Sequence, residues 1–150
     1  MVFIVRSKTK GWKNPRAISK KGRREDVGGV YFRSSVEANI ARYFNFRGVK
    51  WEYEPREFVF PINRGIRSYR PDFYLPEEDK WVEAKGWLDR ESMTRLRRFK
   101  KFYPEEFGKL VVYVQSPSQK VITELIELGC EFVSYSVIEK LFGSLIKNWE

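Results

Sequence analysis

The sequence predicts an α/β fold in which helices flank a central mixed β-sheet. Apolar residues recur at helical spacing in some segments and alternate, or run continuously, in shorter ones, with Gly and Pro at the joints. The chain has 150 residues, of which 42% are hydrophobic and 17% aromatic. A chain of this size and composition is expected to fold as one domain with a single sizeable core.

The first half predicts one helix and three strands. The helix should run from Ser34 to Phe46, with Ser34 or Ser35 as its N-cap and Gly48 just past its end. Glu37 lies at the edge of the apolar face of this helix, where an ionisable side chain is unusual and indicates a structural or functional role. The strands that should follow are Lys50–Phe60, with a break at Pro55, then Tyr69–Leu75 and Lys80–Lys85.

The second half predicts helices that alternate with strands. Asp89 can cap a helix that reaches about Phe102, and Pro104 ends it. Leu110–Val114 is a continuous apolar run, typical of a strand covered on both faces. The remaining elements are a helix that opens at Ser116-Pro117-Ser118-Gln119 and closes at Gly129, a short strand over Phe132–Tyr135, and a C-terminal helix that opens at Ser136. This order predicts an antiparallel meander followed by a crossover.

The His and Cys content limits the kinds of catalytic and metal site that this chain can form. The chain contains no His, which excludes triads, zinc sites and nucleases that depend on an imidazole. Its one Cys, Cys130, cannot form an internal disulfide or a cysteine zinc cluster. No apolar stretch approaches the length of a membrane span. We therefore expect a soluble, cytoplasmic protein with no membrane partner, in which catalysis must use carboxylates, Lys, Tyr or Ser.

The positive charge surplus, +9, is concentrated near the N-terminus. Residues 1–24 carry nine basic residues and no acidic one, which predicts a flexible basic arm over residues 1–30 ahead of a single domain over residues 31–150. Nucleic acid is the favoured partner of this arm. A solvated tail or a membrane-surface patch is the alternative, although no amphipathic period supports the patch. The nine are Arg6 and the candidate DNA contacts Lys8, Lys10, Lys13, Arg16, Lys20, Lys21, Arg23 and Arg24.

The most informative motif is Pro71-Asp72, followed after ten intervening residues by Glu83-Ala84-Lys85. Residues two apart on a strand share a face, so Glu83 and Lys85 project together. A tight turn between antiparallel strands can bring Asp72 opposite Glu83. Two close carboxylates repel each other, and Lys85 together with a divalent cation can compensate for their charge. Without His or Cys, oxygen ligands favour Mg²⁺, with Mn²⁺ as a substitute.

If Glu37 also reaches this point, three carboxylates and one Lys suit metal-assisted phosphodiester hydrolysis. Asp72, Glu83 and the backbone carbonyl of Ala84 would bind the metal, and Glu37 would complete the shell or hold a second ion. Lys85 would orient the attacking water and stabilise the negative transition state. Pro-Asp is also a common turn dipeptide and Glu-x-Lys a common solvated pair, but their conjunction favours a nuclease.

This set of residues resembles the motif of the PD-(D/E)XK nucleases. A more extended similarity, to the phage endonuclease I group that resolves four-way DNA junctions, spans about Phe32 to Ser116, more than half of the chain. The similar runs are FRSSVE (32–37), GVKWEYE (48–54), YRPDFYLP (69–76) and VEAKGWLDRE (82–91).

The resemblance implies a restriction-endonuclease-like core and a Mg²⁺-dependent homodimer that cuts opposing strands of a Holliday junction in DNA recombination. It also implies a phage-encoded protein that acts in a bacterial host. In that group the dimer is domain-swapped through a bridge that matches about Phe58–Asn63 here. Glu37 of one chain would then join Asp72, Glu83 and Lys85 of the other. A hydrophobic C-terminal helix replaces the basic C-terminal tail common in such enzymes, so the surface that grips the junction can differ.

Further DNA contacts are expected beside the motif. Arg33 and Ser34 could donate to a phosphate at the helix N-terminus, although Ser34 is equally explained as the N-cap. Trp87 could stack on a base near a branch point, but packing in the core is favoured. The basic face of the 89–102 helix either follows the DNA backbone or is a plain solvated face, and its candidate contacts are Arg95, Arg98 and Lys101.

Three functions remain open from the sequence. The first is a structure-selective endonuclease that resolves four-way junctions, and the second is a sequence-specific or transposition-associated nuclease with the same site. The third is a nucleic-acid-binding module without catalysis. Preference for a junction over linear duplex separates the first two, and strand cleavage in Mg²⁺ separates both from the third.

Overall fold

A five-stranded mixed sheet lies at the centre of the fold. The structure, a computed structural model, describes residues 21–150. Its strands are β1 (Gly22–Arg24), β2 (Val30–Phe32), β3 (Glu52–Tyr53), β4 (Phe58–Val59), β5 (Ser68–Tyr69), β6 (Phe73–Leu75), β7 (Lys80–Lys85), β8 (Leu110–Val114) and β9 (Glu131–Ser134). Its helices are α1 (Ser35–Phe46), α2 (Arg90–Phe102), α3 (Pro104–Phe107), α4 (Gln119–Leu128) and α5 (Tyr135–Phe142). None of these helices combines the length and apolar character needed to cross a membrane.

The central sheet has the strand order β3-β6-β7-β8-β9. Strands β3, β6 and β7 pair antiparallel, whereas β7, β8 and β9 pair parallel. The predicted α/β architecture, with a meander followed by a crossover, is therefore confirmed, and α2 and α3 lie in the connection from β7 to β8. Two further antiparallel pairs, β1-β2 and β4-β5, lie outside the central sheet.

The central sheet separates two hydrophobic clusters, one on each face. Val82 and Ala84 of β7 belong to the cluster that includes side chains of α1 and α5, whereas Trp81 belongs to the cluster that includes α2 and α4. This division follows from the alternation of side chains along a strand. Side chains therefore pack against both faces of the sheet, so the fold has two hydrophobic clusters where the sequence predicts a single core. Glu83 and Lys85 lie on the same face of β7 as Trp81.

Helices α1 and α2 begin where their capping residues predict. The Ser34 side chain accepts a hydrogen bond from the backbone N–H of Glu37, and Asp89 accepts one from Ser92. The predicted start of α4 is wrong, because Ser118 rather than an earlier serine caps this helix. The predicted strands Lys50–Phe60 and Tyr69–Leu75 each divide into two, since proline in each segment interrupts the ladder of backbone hydrogen bonds.

Residues 22–32 form a hairpin, although the sequence assigned most of them to a flexible arm. Arg23 pairs with Tyr31 across the hairpin, and Val27 and Val30 are buried in the core. The packed structure therefore begins before residue 31, because these apolar side chains give the hairpin a face to bury, whereas the division into an arm and a domain stays a prediction. The candidate contacts Lys8, Lys10, Lys13, Arg16 and Lys20 lie outside the described residues and stay predictions.

Arg24 is buried in an ionic cluster, so a contact with DNA would require it to leave its protein partner, and this contact stays a prediction. Its Nε and Nη2 atoms each donate to the carboxylate of Glu150 at 2.8 Å. Arg42 on α1 donates to the same carboxylate at 3.0 Å and to Asp26 at 2.7 Å. The cluster ties the N-terminal hairpin and α1 to Glu150.

Glu150→Gln should lower the free energy of unfolding by about 1–3 kcal/mol, since it removes the charge that two buried arginines share. Burial opposes ionisation of Glu150, but hydrogen bonds from Arg24 and Arg42 outweigh it and lower the pKa of this carboxyl below its usual 4.5. Its stabilising contribution is therefore present above about pH 4.5 and is lost as the pH falls through the lower folded-state pKa. Urea unfolding at pH 7 and at low pH measures this, with Glu127→Gln on the exposed face of α4 as the control. An equal effect of both substitutions would contradict the prediction.

Candidate active site

Asp72 and Glu83 face each other beside the β6-β7 pair. Phe73 pairs with Val82 in antiparallel register, so the residue before Phe73, Asp72, lies opposite the residue after Val82, Glu83. The backbone N–H of Ala84 donates to Asp72 Oδ2 at 2.7 Å, which fixes this carboxylate against β7. Both acids are buried, with 7% and 6% of their surface exposed. The predicted juxtaposition of the two acids is therefore present.

Two donors hold the carboxylate of Glu83. The hydroxyl of Tyr69 donates to Oε1 at 2.8 Å, and the Nζ atom of Lys85 lies 3.4 Å from Oε2. Tyr69 is itself buried in the cluster beneath α2, so its hydroxyl is rigidly placed. These contacts fix the direction in which Glu83 points and keep an ammonium group beside it.

Glu37 reaches the same site from the first turn of α1. The Ser34 hydroxyl accepts a hydrogen bond from the backbone N–H of Glu37 at 3.1 Å. The same hydroxyl donates to Oε1 of the Glu37 side chain at 3.2 Å. The hydroxyl of Tyr53 donates to the other carboxylate oxygen of Glu37. The ionisable side chain at the edge of the apolar face of α1 is therefore explained, because it turns toward Tyr53 and the other acids rather than into the core.

A cavity of about 300 Å³ joins these side chains. Glu37, Asp72, Glu83 and Lys85 all line it within a single chain, so no exchange of segments between protomers is needed to bring them together. The predicted domain swap stays a prediction. The other lining residues are Arg33, Glu54, Glu57, Ser68, Tyr69, Arg70, Ala84 and Arg95.

The site is short of positive charge. Burial raises the pKa of Asp72 well above its usual value, and the charges of Glu83 and Glu37 raise it further. Burial also raises the pKa of Glu83, although Lys85 and the Tyr69 hydroxyl oppose the shift. The Glu83 carboxylate raises the pKa of Lys85, so Lys85 is a cation at neutral pH. An added cation would relieve the repulsion among the three carboxylates.

The donor set suits a hard divalent cation, but it is not arranged as a closed cage. Within residues 21–150, no group of three or more Asp, Glu, His or Cys side chains is placed to hold a metal ion. Mg²⁺ commonly binds through one or two carboxylates and keeps several waters. The buried pair Asp72 and Glu83 fits that mode, whereas Glu37 would have to exchange its present hydrogen-bond partners to become a ligand.

Three arginines border the cavity. Arg33 forms an ion pair with the buried carboxylate of Glu54, so it is committed to a protein partner where the sequence predicted a phosphate contact. Arg70 Nη2 lies 3.5 Å from Glu57 Oε1, and its buried Nε has no hydrogen-bond partner among the described residues. Arg95 reaches the cavity from α2. Because Arg33 and Arg70 are paired with Glu54 and Glu57, Arg95 is the arginine at this border best placed to meet an anionic substrate.

Five residues that line this cavity were not predicted from the sequence, and neither was Tyr53, which donates to Glu37. The five are Glu54, Glu57, Ser68, Tyr69 and Arg70. The backbone N–H of Glu54 donates to the Asp72 carbonyl at 2.8 Å, so Glu54 is the cross-strand neighbour of Asp72. The pairing of Glu54 with Asp72 could not be read from the sequence, because Pro55 and Pro71 interrupt the strands next to these two residues. No local pattern in the sequence indicates that the hydroxyls of Tyr53 and Tyr69 would hold carboxylates.

The remaining predicted DNA contacts lie in different surroundings. Ser34 is the N-cap of α1, as one of its two interpretations predicted. Lys21 and Lys101 are exposed, as is Arg23, which donates to the Gly29 carbonyl at 2.7 Å. Arg98 donates to the Ile66 carbonyl at 2.6 Å. A role of these residues in DNA binding stays a prediction.

Trp87 is 74% exposed, so the expectation that it packs in the core is wrong. It lies between Lys85 and the start of α2, where the chain leaves the sheet and the neighbouring Leu88 takes the buried position. The alternative, that its ring stacks on a base of a branched substrate, stays a prediction.

Comparison with known proteins finds two similar phage enzymes. Over 74 residues, 49% of this chain and 49% of the relative, the chain is 30% identical to Endonuclease I of Escherichia phage T7. Over 83 residues, 55% of this chain and 54% of the relative, it is 29% identical to Endodeoxyribonuclease 1 of Enterobacteria phage T3. Neither a protein-family model nor a solved structure matches the chain, so the PD-(D/E)XK superfamily stays a prediction. The chain spans about half the length of the curated relatives it matches, and over that half it resembles phage endonuclease I.

Proposed function

We propose that this protein is a Mg²⁺-dependent DNA endonuclease that resolves four-way (Holliday) junctions by hydrolysing phosphodiester bonds in opposing strands. The observation that carries the proposal is the cavity in which Glu37, Asp72, Glu83 and Lys85 meet beside bordering arginines. Similarity to two phage endonucleases supports DNA as the substrate.

Asp72, Glu83 and the carbonyl of Ala84 are the groups that would hold Mg²⁺, or Mn²⁺ in its place, and Glu37 would complete the shell or hold a second ion. When bound, the ion would lower the pKa of an attacking water and offset charge on the phosphate. The raised pKa values of Asp72 and Glu83 support a cation at this point, since both carboxylates are buried without enough compensating charge.

Lys85 acts as a cation in this proposal, not as a general base. Because the Glu83 carboxylate raises the pKa of Lys85, the ammonium group has no tendency to give up its proton at neutral pH. It donates hydrogen bonds to the attacking water and to a phosphate oxygen, where negative charge grows in the transition state. Tyr69 serves as a positioning residue, since its hydroxyl fixes the carboxylate of Glu83.

The substrate geometry favours a homodimer. A four-way junction has two equivalent strands to cut, and a two-fold dimer would present one cavity to each of them. The basic arm and the basic face of α2 would hold the DNA backbone on either side of each cavity. A role in DNA recombination follows from this choice of substrate.

A cleavage assay on matched substrates tests the proposal. We expect the protein to cut a synthetic four-way junction in Mg²⁺ at least tenfold faster than a linear duplex of the same sequence, with paired nicks in opposing strands. EDTA should abolish cutting, and Mn²⁺ should restore it. Equal cutting of junction and duplex at a particular sequence would favour a sequence-specific nuclease. Tight, salt-sensitive binding with no cleavage in either metal would leave only a DNA-binding module.

A further inference from the structure

A second cavity, of about 500 Å³, opens between α2 and the loop that follows β4. We name it the α2 groove. Three of the residues that line it are cationic, and none is acidic. Its lining residues are Ile62, Asn63, Arg64, Arg98, Lys101 and Phe102. A concave surface with this balance of charge is suited to an anion that also carries apolar surface.

The cations of the α2 groove are partly pre-positioned. Arg98 Nη1 donates to the Ile66 carbonyl at 2.6 Å, which holds its guanidinium against the loop and leaves other N–H groups free to donate. Gly65 makes this approach possible, because a Cβ at that position would lie 3.2 Å from Arg98 Nη1 and its φ of +70° favours glycine. Lys101 lies with its Nζ atom 5.3 Å from the centre of the Phe102 ring. Side chains held in this way lose less conformational freedom when they bind an anion.

Helix α2 contributes side chains to both the α2 groove and the active-site cavity. Arg95 lines the cavity that contains Asp72 and Glu83, whereas Arg98 and Lys101 line the groove. At 1.5 Å per residue, Lys101 lies about 9 Å beyond Arg95 along the helix axis. One strand of DNA rises about 3.4 Å per phosphate along the duplex axis, so for a duplex that lies parallel to α2 this distance corresponds to about two or three nucleotides.

We propose that the α2 groove binds a backbone phosphate of the cleaved DNA strand, two or three nucleotides from the bond that is cut. The proposal rests on the proposed function, since it takes DNA as the substrate. Arg64, Arg98 and Lys101 supply the charge, and Ile62 and Phe102 contact the sugar. The groove thereby fixes the register of the strand, so that one phosphate, and not its neighbours, lies beside Lys85.

Lys101→Ala and Arg64→Ala test the groove without removing the bond between Arg98 and Ile66. We expect each substitution to weaken binding of a four-way junction in EDTA. Each should also reduce the slope of log Kd against log salt concentration by about 1, as the loss of one phosphate contact requires. Lys100→Ala is the matched control, because Lys100 is the exposed neighbour of Lys101 on the same helix but does not line the groove. Equal effects of Lys100→Ala and Lys101→Ala would overturn the proposal.

Single methylphosphonate linkages, which remove the charge of one phosphate, locate the contact. In the unmodified protein, neutralising the linkage two or three nucleotides from the cut should weaken binding, whereas in Lys101→Ala the same linkage should cause no further loss. In Lys100→Ala the loss should be as large as in the unmodified protein. A junction that is bound and cut normally, but with no linkage coupled to Lys101, would overturn this proposal alone. Failure of the unmodified protein to cut any junction would instead contradict the proposed function.

Discussion

Asp72→Asn should abolish cleavage of a four-way junction while binding of the same junction is retained or becomes tighter. The amide keeps the oxygen that accepts from the Ala84 N–H, at 2.7 Å in the native protein, but it removes a negative charge that would hold the metal and repel phosphate. We expect the cleavage rate in Mg²⁺ to fall by at least about 10³-fold, or about 4 kcal/mol of transition-state stabilisation. Single-turnover cleavage and gel-shift binding measure the two effects. Glu83→Gln should behave in the same way.

A matched control and a stability measurement separate loss of chemistry from loss of fold. Asp79→Asn makes the same change at an exposed acid in the β6-β7 turn and should leave cleavage within about twofold. Burial raises the pKa of Asp72, so the folded protein is more stable when this group is uncharged, and that stabilisation is lost as the pH rises through the folded-state pKa. In EDTA at pH 7, Asp72→Asn should therefore unfold at a temperature no lower than the unsubstituted protein. Substantial residual cleavage by a stable Asp72→Asn protein would contradict the site.

Lys85→Met should abolish cleavage but leave divalent metal binding intact or tighter. Methionine preserves most of the apolar stem and removes the ammonium that lies 3.4 Å from Glu83 Oε2. Loss of this cation deprives the attacking water and the phosphate of a donor, so we expect a fall in rate of about 10³-fold. The carboxylates gain net negative charge by the same change, which favours Mg²⁺. Titration calorimetry with MgCl₂ measures the second effect, and Asp72→Asn should lose both properties.

Lys80→Met is the matched control for this substitution. Lys80 lies at the other end of β7, its side chain is 36% exposed against 35% for Lys85, and it too pairs with a glutamate. Because β7 has alternating faces, Lys80 projects away from the cavity, and its substitution should leave cleavage within about twofold. Cleavage by Lys85→Met at the rate of Lys80→Met would show that the ammonium group has no part in the reaction.

Local signals predicted several elements well. The serine that caps α1, the aspartate that caps α2 and the apolar run of β8 each act within a few residues, so their boundaries agree with the sequence pattern. The hairpin of residues 22–32 was missed because its stabilisation comes from distant partners. Val27 and Val30 pack in the core, and Arg24 pairs with Glu150, 126 residues away. A basic composition gives no sign of such contacts.

The candidate site also has some contacts that the sequence predicts and others that it does not. The motif predicted that Glu83 and Lys85 share a face and that Asp72 can lie opposite Glu83, because strand alternation and a tight turn decide both. Nothing in the sequence predicted that Tyr53 would hold Glu37 or that Tyr69 would hold Glu83. Those pairings depend on how β3, which carries Tyr53, and β5, which carries Tyr69, pack beside α1 and β7.

The sequence by itself determined the kinds of groups available for chemistry, the absence of imidazole, and the spacing that brings Asp72 beside Glu83 and Lys85. The tertiary structure alone decided that Arg24 and Arg33 are committed to protein carboxylates, and that Arg95 of α2 borders the cavity. The physical reason is range. Periodicity and capping act between neighbours along the chain, whereas burial and ion pairing depend on residues that are far apart in sequence and meet only when the sheet and its helices pack.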